Sequence, residues 1–258
     1  MRDKSPTVDR SREMEEGAWW DLWNTSYRVK DKNDEVSNEL FQRAAEAIDG
    51  ISGDGKRRIL EVACGTGILS RMIAYSRYHG LDLSAAAIEV ARAKSSDNSP
   101  PAGASIPIYE AADFNEWPLP SGEFELVICI DAIPNFRDQL SAMKKMAQAL
   151  RPGGHLVLTT VNRFVYQRIR RTGGVKLESG PVNRWLSRRE LHSLMYQSGF
   201  VIAKSCTIMP RGNMGYLRIL NSPRLNGLLG PQVESLLKRM KERIGLGQYS
   251  LVIARKEN

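Results

Sequence analysis

The sequence predicts an α/β protein with a doubly wound, mostly parallel sheet, and three observations carry that prediction. From Arg57 onward, apolar runs of strand length alternate with amphipathic stretches of helix length. One run, Ile59 to Val62, ends in a turn carrying two glycines, Ala63-Cys64-Gly65-Thr66-Gly67. A second short strand then closes on an acid, Asp82. Strand, glycine turn and acid-terminated strand in that order are what an open α/β sheet places along its ligand-binding edge.

Taken in order, Arg12 to Trp23 reads as a first helix with Trp19, Trp20 and Trp23 on part of its surface, and Val36 to Ile48 as a second, amphipathic one. Arg57 to Val62 reads as a buried strand. Gly65 and Gly67 permit a sharp bend with no Cβ in the way, and Ile68 to Tyr75 is expected to leave the turn as a helix whose unpaired N–H groups face a ligand. The dinucleotide fingerprint G-x-G-x-x-G/A is not met, since Ser70 stands at its last position and Ala63 where the first glycine is expected. That argues against a nicotinamide cofactor.

Arg77 to Ser84 holds the second strand. Asp82 lies about 20 residues beyond the turn, the distance at which a ribose diol is read; a plain acid at a helix N-terminus is the other reading. Ser84 is placed to cap a helix through about Lys94, with Ile88, Val90 and Ala91 among its apolar positions. Further strands are expected at Ser105 to Glu110, Glu123 to Cys129 and His155 to Val161, with a helix up to Leu150 between the last two. Ser187 and Glu190 have capping-box spacing at the start of a helix through about Gln197, and Gly199 terminates it. Phe200 to Met209 and Gln248 to Arg255 supply the sixth and seventh strands.

Composition bounds the function. The chain has 258 residues, 42% hydrophobic, enough for one substantial core with appendages and short of two equal domains. No apolar run is long enough to span a bilayer and the N-terminal stretch is highly charged, so the cytoplasm is the expected location. Cys64, Cys129 and Cys206 are odd in number and lack C-x-x-C or His spacing, which argues against disulfides and against a metal site. His79, His155 and His192 are equally scattered and read as structural or exposed. Charge is uneven: Met1 to Asn162 carry 19 basic and 24 acidic residues, whereas Arg163 to Asn258 carry 18 basic and 5 acidic. The cationic last third is either an ordinary solvated surface or an attractor for an anionic small molecule, RNA or an anionic membrane.

Three stretches are candidates for acceptor chemistry. Asp131-Ala132-Ile133-Pro134-Asn135-Phe136 follows the fourth strand at the carboxyl edge of the sheet. Asp131 and Asn135 are its polar groups, Asp131 as base for a hydroxyl or protonated amine, Asn135 as a catalytic contact or merely a helix cap, and Phe136 is a wall. Asn162 to Arg184 is a basic connector whose Thr172-Gly173-Gly174 and Ser179-Gly180-Pro181 turns suit a mobile lid. Pro210 to Gly247 is an insertion, with a helix from Pro231 bearing Lys238, Arg239, Lys241 and Arg243. It is read as a cap on the acceptor, a membrane-touching element, a dimer contact or a plain packed excursion.

The run Ile59 to Gly67, Gly80-Leu81-Asp82-Leu83-Ser84, Ala112-Asp113-Phe114, the Pro118 to Val127 strand pattern and Leu150-Arg151-Pro152-Gly153-Gly154-His155-Leu156 resemble, in order, the class I S-adenosylmethionine-dependent methyltransferases. The resemblance covers about residues 57 to 161 well and implies a Rossmann-like, seven-stranded sheet whose last strand is antiparallel. It divides the chain into a helical cap (1–56), a cofactor-binding core (57–161) and a completion of the sheet (162–258), together one compact domain. It also implies cofactor residues. Glu61 would face the methionine amino group; the backbone of Ala63, Cys64 and Gly65, with the bend at Gly67, would run beneath methionine and ribose. Asp82 would take the ribose hydroxyls, Leu83 would pack on adenine, Asp113 would accept from its exocyclic amine, and Phe114 would lie beside it. Cys129 and Ile130 would pass close to the methionine. N-terminal helices of such enzymes close over the cofactor, so Trp19, Trp20, Trp23 and Tyr27 either line the acceptor pocket or staple the helix to the core. Ala63 departs from a position often held by glycine.

The function so implied is methyl transfer to oxygen or nitrogen of a small, anionic metabolite. The alternative is an RNA methyltransferase using the basic last third. Against it, the Asn/Asp-Pro-Pro-Tyr/Phe segment of such enzymes is replaced by Asp131-Ala132-Ile133-Pro134. A scaffold without activity is opposed by Glu61, Gly65, Gly67, Asp82 and Asp113 all being present.

Overall fold

The computed structural model describes residues 18, 20–21, 35–51, 57–96, 104–171, 184–209 and 223–257. Seven strands, β1 (Arg58–Val62), β2 (Arg77–Asp82), β3 (Ile108–Ala111), β4 (Phe124–Ile130), β5 (Leu150–Val161), β6 (Phe200–Ile208) and β7 (Tyr249–Lys256), form one sheet in the order β3-β2-β1-β4-β5-β7-β6. β1 to β5 pair in parallel, and β7 runs antiparallel to both β5 and β6. Chain order therefore reverses between β1 and β4, and the crevice outside the carboxyl ends of those two strands is where such a sheet binds ligands.

The period-two alternation of the strands divides the core into two layers. Ile59, Tyr78, Leu126, Ile128 and Val157 pack under α1 (Glu35–Asp49) and α2 (Ala85–Ser96). Leu60, Val62, Leu81, Val127, Cys129, Leu156 and Leu158 face α3 (Gln139–Ala149) and α5 (Arg188–Gln197). Helical spacing supplies the matching stripes: Leu40, Ala44 and Ile48 on α1, Met143, Met146 and Ala147 on α3, Leu191 and Met195 on α5. Each fully buried large side chain contributes about 1.5–3 kcal/mol of transfer free energy. Two further helices, α4 (Arg163–Arg171) and α6 (Pro223–Arg243), complete the described chain. Among the described residues no helix is long and apolar enough to cross a membrane.

Several local expectations are corrected. Ile68 to Tyr75 is not a helix; the structure has one 3₁₀ turn, Leu69–Arg71. Side chains take the carbonyls a helix would use, with the Ser70 hydroxyl donating to Gly67 O (3.0 Å) and Arg71 Nη1 donating to Gly67 O (2.8 Å) and Thr66 O (3.3 Å). The ligand-facing helix start expected there is absent, and with it the pyrophosphate cradle of a dinucleotide fold. β3 begins three residues later than expected, and Val90 is 40% exposed, so the apolar face of α2 rests on Ala87, Ile88 and Ala91. Asn135 does not cap α3, because Asp138 does, its carboxylate accepting from Ser141 N–H (2.9 Å). The connector opens with α4, whose first turn is held by the Asn162 side chain accepting from Phe164 N–H (3.2 Å); its turns at 172–174 and 179–181 lie outside the described residues. α6 starts at Pro223 and runs through Pro231, where the helix was expected to begin.

Other expectations stand. The Ser187–Glu190 capping box is complete in both directions, and Gly199 follows the helix with a positive φ of 80°. Ser84 caps α2 by accepting from Ala87 N–H (3.1 Å).

Candidate active site

Every described residue proposed from the sequence to hold a cofactor lies at or beside the carboxyl end of β1, β2, β3 or β4. The register brings these ends level, with Val62 beside Leu81 and Asp82 beside Ala111. Beyond β1 the chain turns through three residues of positive φ, Ala63 (58°), Gly65 (53°) and Gly67 (64°). Glycine adopts this region freely, whereas an alanine there costs about 1–2 kcal/mol. Ala63 is thus a strained residue at the point where the sequence departs from glycine.

Asp82 ties this turn to the next strand end. Its Oδ2 accepts from Gly65 N–H (2.7 Å) and its Oδ1 from Ser84 N–H (2.9 Å). Cys64 N–H donates to Leu81 O (2.8 Å), so backbone and side chain hold the turn from the same strand. The row extends into the N-terminal segment: Asp21 Oδ1 accepts from the Ser84 hydroxyl (2.6 Å) and from Ala86 N–H (3.2 Å) at the start of α2. A carboxylate there meets the positive end of the helix dipole. Trp20, helical like Asp21, is half-buried; Trp19, Trp23 and Tyr27 lie outside the described residues.

Beneath the turn lies a polar aromatic layer that the sequence reading did not single out. Glu61 is 1% exposed, and its carboxylate accepts from the Tyr78 hydroxyl. Burial first, and the Glu61 charge second, hold the Tyr78 phenol well above its ordinary pKa, so it remains a donor. Tyr109 crosses under the turn, its hydroxyl paired with Ser70 Oγ (2.5 Å) and accepting from Ser95 Oγ (3.3 Å). The signal that could have found this layer is Gly80, a glycine inside a strand. A Cβ at Gly80 would come within 2.8 Å of the Tyr109 ring and 2.9 Å of Cys64 Sγ. Gly80→Ala is therefore expected to destabilise the fold by about 1–3 kcal/mol through overpacking, read as a lower midpoint in chemical denaturation. An unchanged midpoint would show that Tyr109 does not clamp the turn.

At the end of β3, Asp113 is exposed and its Oδ1 accepts from the backbone (2.8 Å) and side-chain (3.0 Å) nitrogens of Asn115. Lys145 fixes that turn by donating to Asn115 O (2.6 Å) and Trp117 O (2.7 Å), with its ammonium 5.3 Å from the centre of the Phe114 ring. Phe114 meets Phe136 edge to face at 6.2 Å, which joins the β3 turn to the loop after β4. Leu83 is half-buried. Cys129 is fully buried in the α3-side core, where burial pushes its thiol up to about 12, and the neighbouring Ile130 faces the α1 side. Neither cysteine of the site, Cys64 or Cys129, is bonded to another.

Asp131 follows β4 in a left-handed conformation (φ 53°). Its N–H donates to Thr159 O (2.9 Å) and Thr159 Oγ1 (3.1 Å), which pins the strained residue to β5. The residue keeps part of its surface while its carboxyl is packed round by protein. Burial pushes that carboxyl from an ordinary 3.8 up to about 7, against a hydrogen bond from the Val161 backbone that pulls it down. Asn135 ends a 3₁₀ turn, Ile133–Asn135, and is half-buried. Gln139, also not foreseen, braces this loop: its Nε2 donates to Ile133 O (3.1 Å) and to Arg184 O (2.8 Å) across the connector.

The histidines stand in the body of the structure. His79 lies beside Glu110 (3.3 Å) and edge-on to Trp117 (5.1 Å), while His192 Nε2 shares a hydrogen bond with Ser205 Oγ (2.8 Å). A shallow cavity of about 200 Å³ lined by Val201, Ala203, Arg255, Lys256 and Glu257 lies on β6 and β7, at the far edge of the sheet from the glycine turn. Among the described residues no group of histidines, cysteines and acids could hold a metal ion.

Comparison with known proteins agrees with this geometry. A methyltransferase-domain family matches residues 35–205. A ubiquinone biosynthesis O-methyltransferase from Aromatoleum aromaticum is 31% identical over 147 residues, 56% of this chain and 58% of the relative. One of the same name from Vibrio parahaemolyticus is 28% identical over 168 residues, 63% of this chain and 67% of the relative. The chain thus spans little more than half the length of the first of these. Among solved structures, an S-adenosylmethionine-dependent methyltransferase from Mesorhizobium loti superposes with a TM-score of 0.58 at 22% identity, covering 84% of this chain and 98% of that one. Another, from Thermotoga maritima, gives a TM-score of 0.63 at 16% identity, covering 95% and 100%. These likenesses show the fold, and the family match together with the strand order and the glycine turn places the chain in the methyltransferase-domain family, the class I enzymes that depend on S-adenosylmethionine.

Proposed function

We propose that this chain transfers a methyl group from S-adenosylmethionine to a hydroxyl oxygen of a small organic acceptor. The observation that carries the proposal is the hydrogen-bonded row Gly65, Asp82 and Ser84 at the point where strand order reverses, since it sets an ionised acceptor group beside a backbone turn at the ligand-binding edge. The residues present fit a cationic nucleoside. Glu61 supplies buried negative charge below the turn for the methionine ammonium, and the positive-φ residues Ala63, Gly65 and Gly67 bend the backbone there, with Ala63 keeping part of its surface and Cys64, Gly65 and Gly67 buried. Asp82 takes the ribose hydroxyls, Leu83 and Phe114 flank the adenine, and Asp113 accepts from its exocyclic amine. Cys129 and Ile130 border the methionine through their backbone.

Bound S-adenosylmethionine supplies an electrophilic sulfonium methyl for in-line displacement. What the chain contributes is mainly position, which can account for about 7–11 kcal/mol of barrier lowering when reacting atoms are held in contact. Asp131 serves as the base that takes the acceptor's hydroxyl proton, and its pKa near 7 suits that task at neutral pH. Asn135 orients the acceptor; Phe136, with Trp19, Trp20, Trp23 and Tyr27 of the N-terminal cap, walls it. The Asp21 contacts to Ser84 and Ala86 hold Trp20 and Asp21 at the nucleoside end of the crevice. Oxygen rather than nitrogen is favoured by a base poised near neutrality and by the curated relatives being O-methyltransferases. The cationic last third supports an acceptor of negative charge.

Incubation with methyl-labelled S-adenosylmethionine and a panel of small phenols, catechols, carboxylates and amines tests this reading. Label is expected in a hydroxylated acceptor, most rapidly in one that also carries a carboxylate. Transfer to amines alone, or to none of the panel while added RNA is labelled, would overturn it.

A further inference from the structure

The C-terminal helix α6 keeps an apolar stripe turned to solvent. Two of its polar residues tie it to the protein: Lys238 Nζ pairs with Glu39 (2.8 Å) and Glu242 Oε2 with Arg43 (2.9 Å), both on α1. Thr207 Oγ1 donates to Glu242 O (2.7 Å), and Lys241 is buried. Four large apolar residues on it or just past it face outward. Val233 is 38% exposed, Leu236 58%, Met240 52% and Ile244, just past the last turn, 69%.

At about 100° per residue these four fall within an arc of roughly 80°, on the side opposite Glu242, and they run along about 17 Å of helix. Arg239 and Arg243, both exposed, border the arc on one side. An apolar ridge with a cationic margin is the arrangement by which a helix lies in the headgroup region of a bilayer.

We propose that α6 docks this chain on an anionic membrane surface. The ridge enters the boundary between headgroups and acyl chains, and Arg239 and Arg243 meet lipid phosphates. Charge selects this occupant. Arg239 and Arg243 are exposed beside the ridge, so an anionic plane attracts this face, whereas a second copy would bring the same cationic margin against it. Shape selects it too. Among the described residues the ridge is one continuous helix face, which suits a planar interface.

Co-sedimentation of the full chain with vesicles tests the proposal. The wild type is expected to bind vesicles of equal phosphatidylcholine and phosphatidylglycerol, to leave vesicles of phosphatidylcholine alone in suspension, and to release as salt rises. The triple variant Leu236→Ser, Met240→Ser, Ile244→Ser should lose about tenfold or more in partitioning with its thermal melt unchanged, since these side chains touch solvent already. Met240→Ser alone, the milder change, should fall between the two. Arg239→Ser with Arg243→Ser should weaken binding to the mixed vesicles and flatten its salt dependence. Equal binding by wild type and triple variant, or no binding to the anionic vesicles, would overturn the proposal. So would a dimer in analytical ultracentrifugation that the triple variant dissolves, because the ridge would then belong to a second copy.

Discussion

Asp82→Ala is expected to weaken S-adenosylmethionine binding by well over tenfold while the protein remains folded. The carboxylate stands at the last residue of β2, and hydrogen bonds to a charged acceptor contribute about 1.5–3 kcal/mol each, which for the ribose alone amounts to one or two powers of ten. The same oxygens also accept from Gly65 and Ser84, so alanine frees the turn as well as deleting the ligand contact. Asp82→Asn separates the two effects. It keeps one carbonyl oxygen for a backbone amide and loses the charge, and it should fall between wild type and alanine in a calorimetric titration. Wild-type affinity in a folded Asp82→Ala protein would remove Asp82 from the binding site.

Asp131→Asn is expected to lower turnover on a hydroxyl acceptor by on the order of 10²-fold or more, with cofactor affinity nearly unchanged. The wild-type rate should rise with pH and reach half its plateau near 7, where the carboxylate forms, and the asparagine variant should lack that limb. Stability moves the opposite way. A carboxyl whose folded pKa lies near 7, above an unfolded value of 3.8, contributes stability at low pH that is lost as pH rises through that window. Asp131→Asn should therefore melt higher than wild type above pH 7, with the difference shrinking as pH falls toward 4. Equal turnover in the two proteins would discharge Asp131 from the role of base. Equal melting curves at all pH values would show that its carboxyl is not buried.

The strands were legible because each is a short apolar run bounded by turn residues: β1 and β4 stop just before Ala63 and Asp131, and β2 stops on Asp82. The capping box at Ser187 and Glu190 was legible for the same reason, as a local pattern with a local cause. What stayed hidden depends on partners distant in sequence. The apolar spacing of Ile68 to Tyr75 suggests a helix, but Tyr109 and the side chains of Ser70 and Arg71 decide the turn. Gln139 looks like an ordinary first-turn residue of α3 and is in fact the bridge between Ile133 and Arg184. Asp21 acquires meaning only because Ser84 and Ala86 of another element meet it. In α6, the sequence mixes apolar and charged residues; that Val233, Leu236, Met240 and Ile244 face outward beside Arg239 and Arg243 follows from Lys238 and Glu242 pairing with Glu39 and Arg43 on α1.

Calorimetric titration of the full chain with S-adenosylmethionine tests the central claim most directly. One saturable site is expected, retained with the demethylated product and weakened by Asp82→Ala. Absence of heat with either ligand in the folded protein, or saturable binding of a nicotinamide dinucleotide in its place, would contradict the assignment of the crevice between β1 and β4 to a methyl donor.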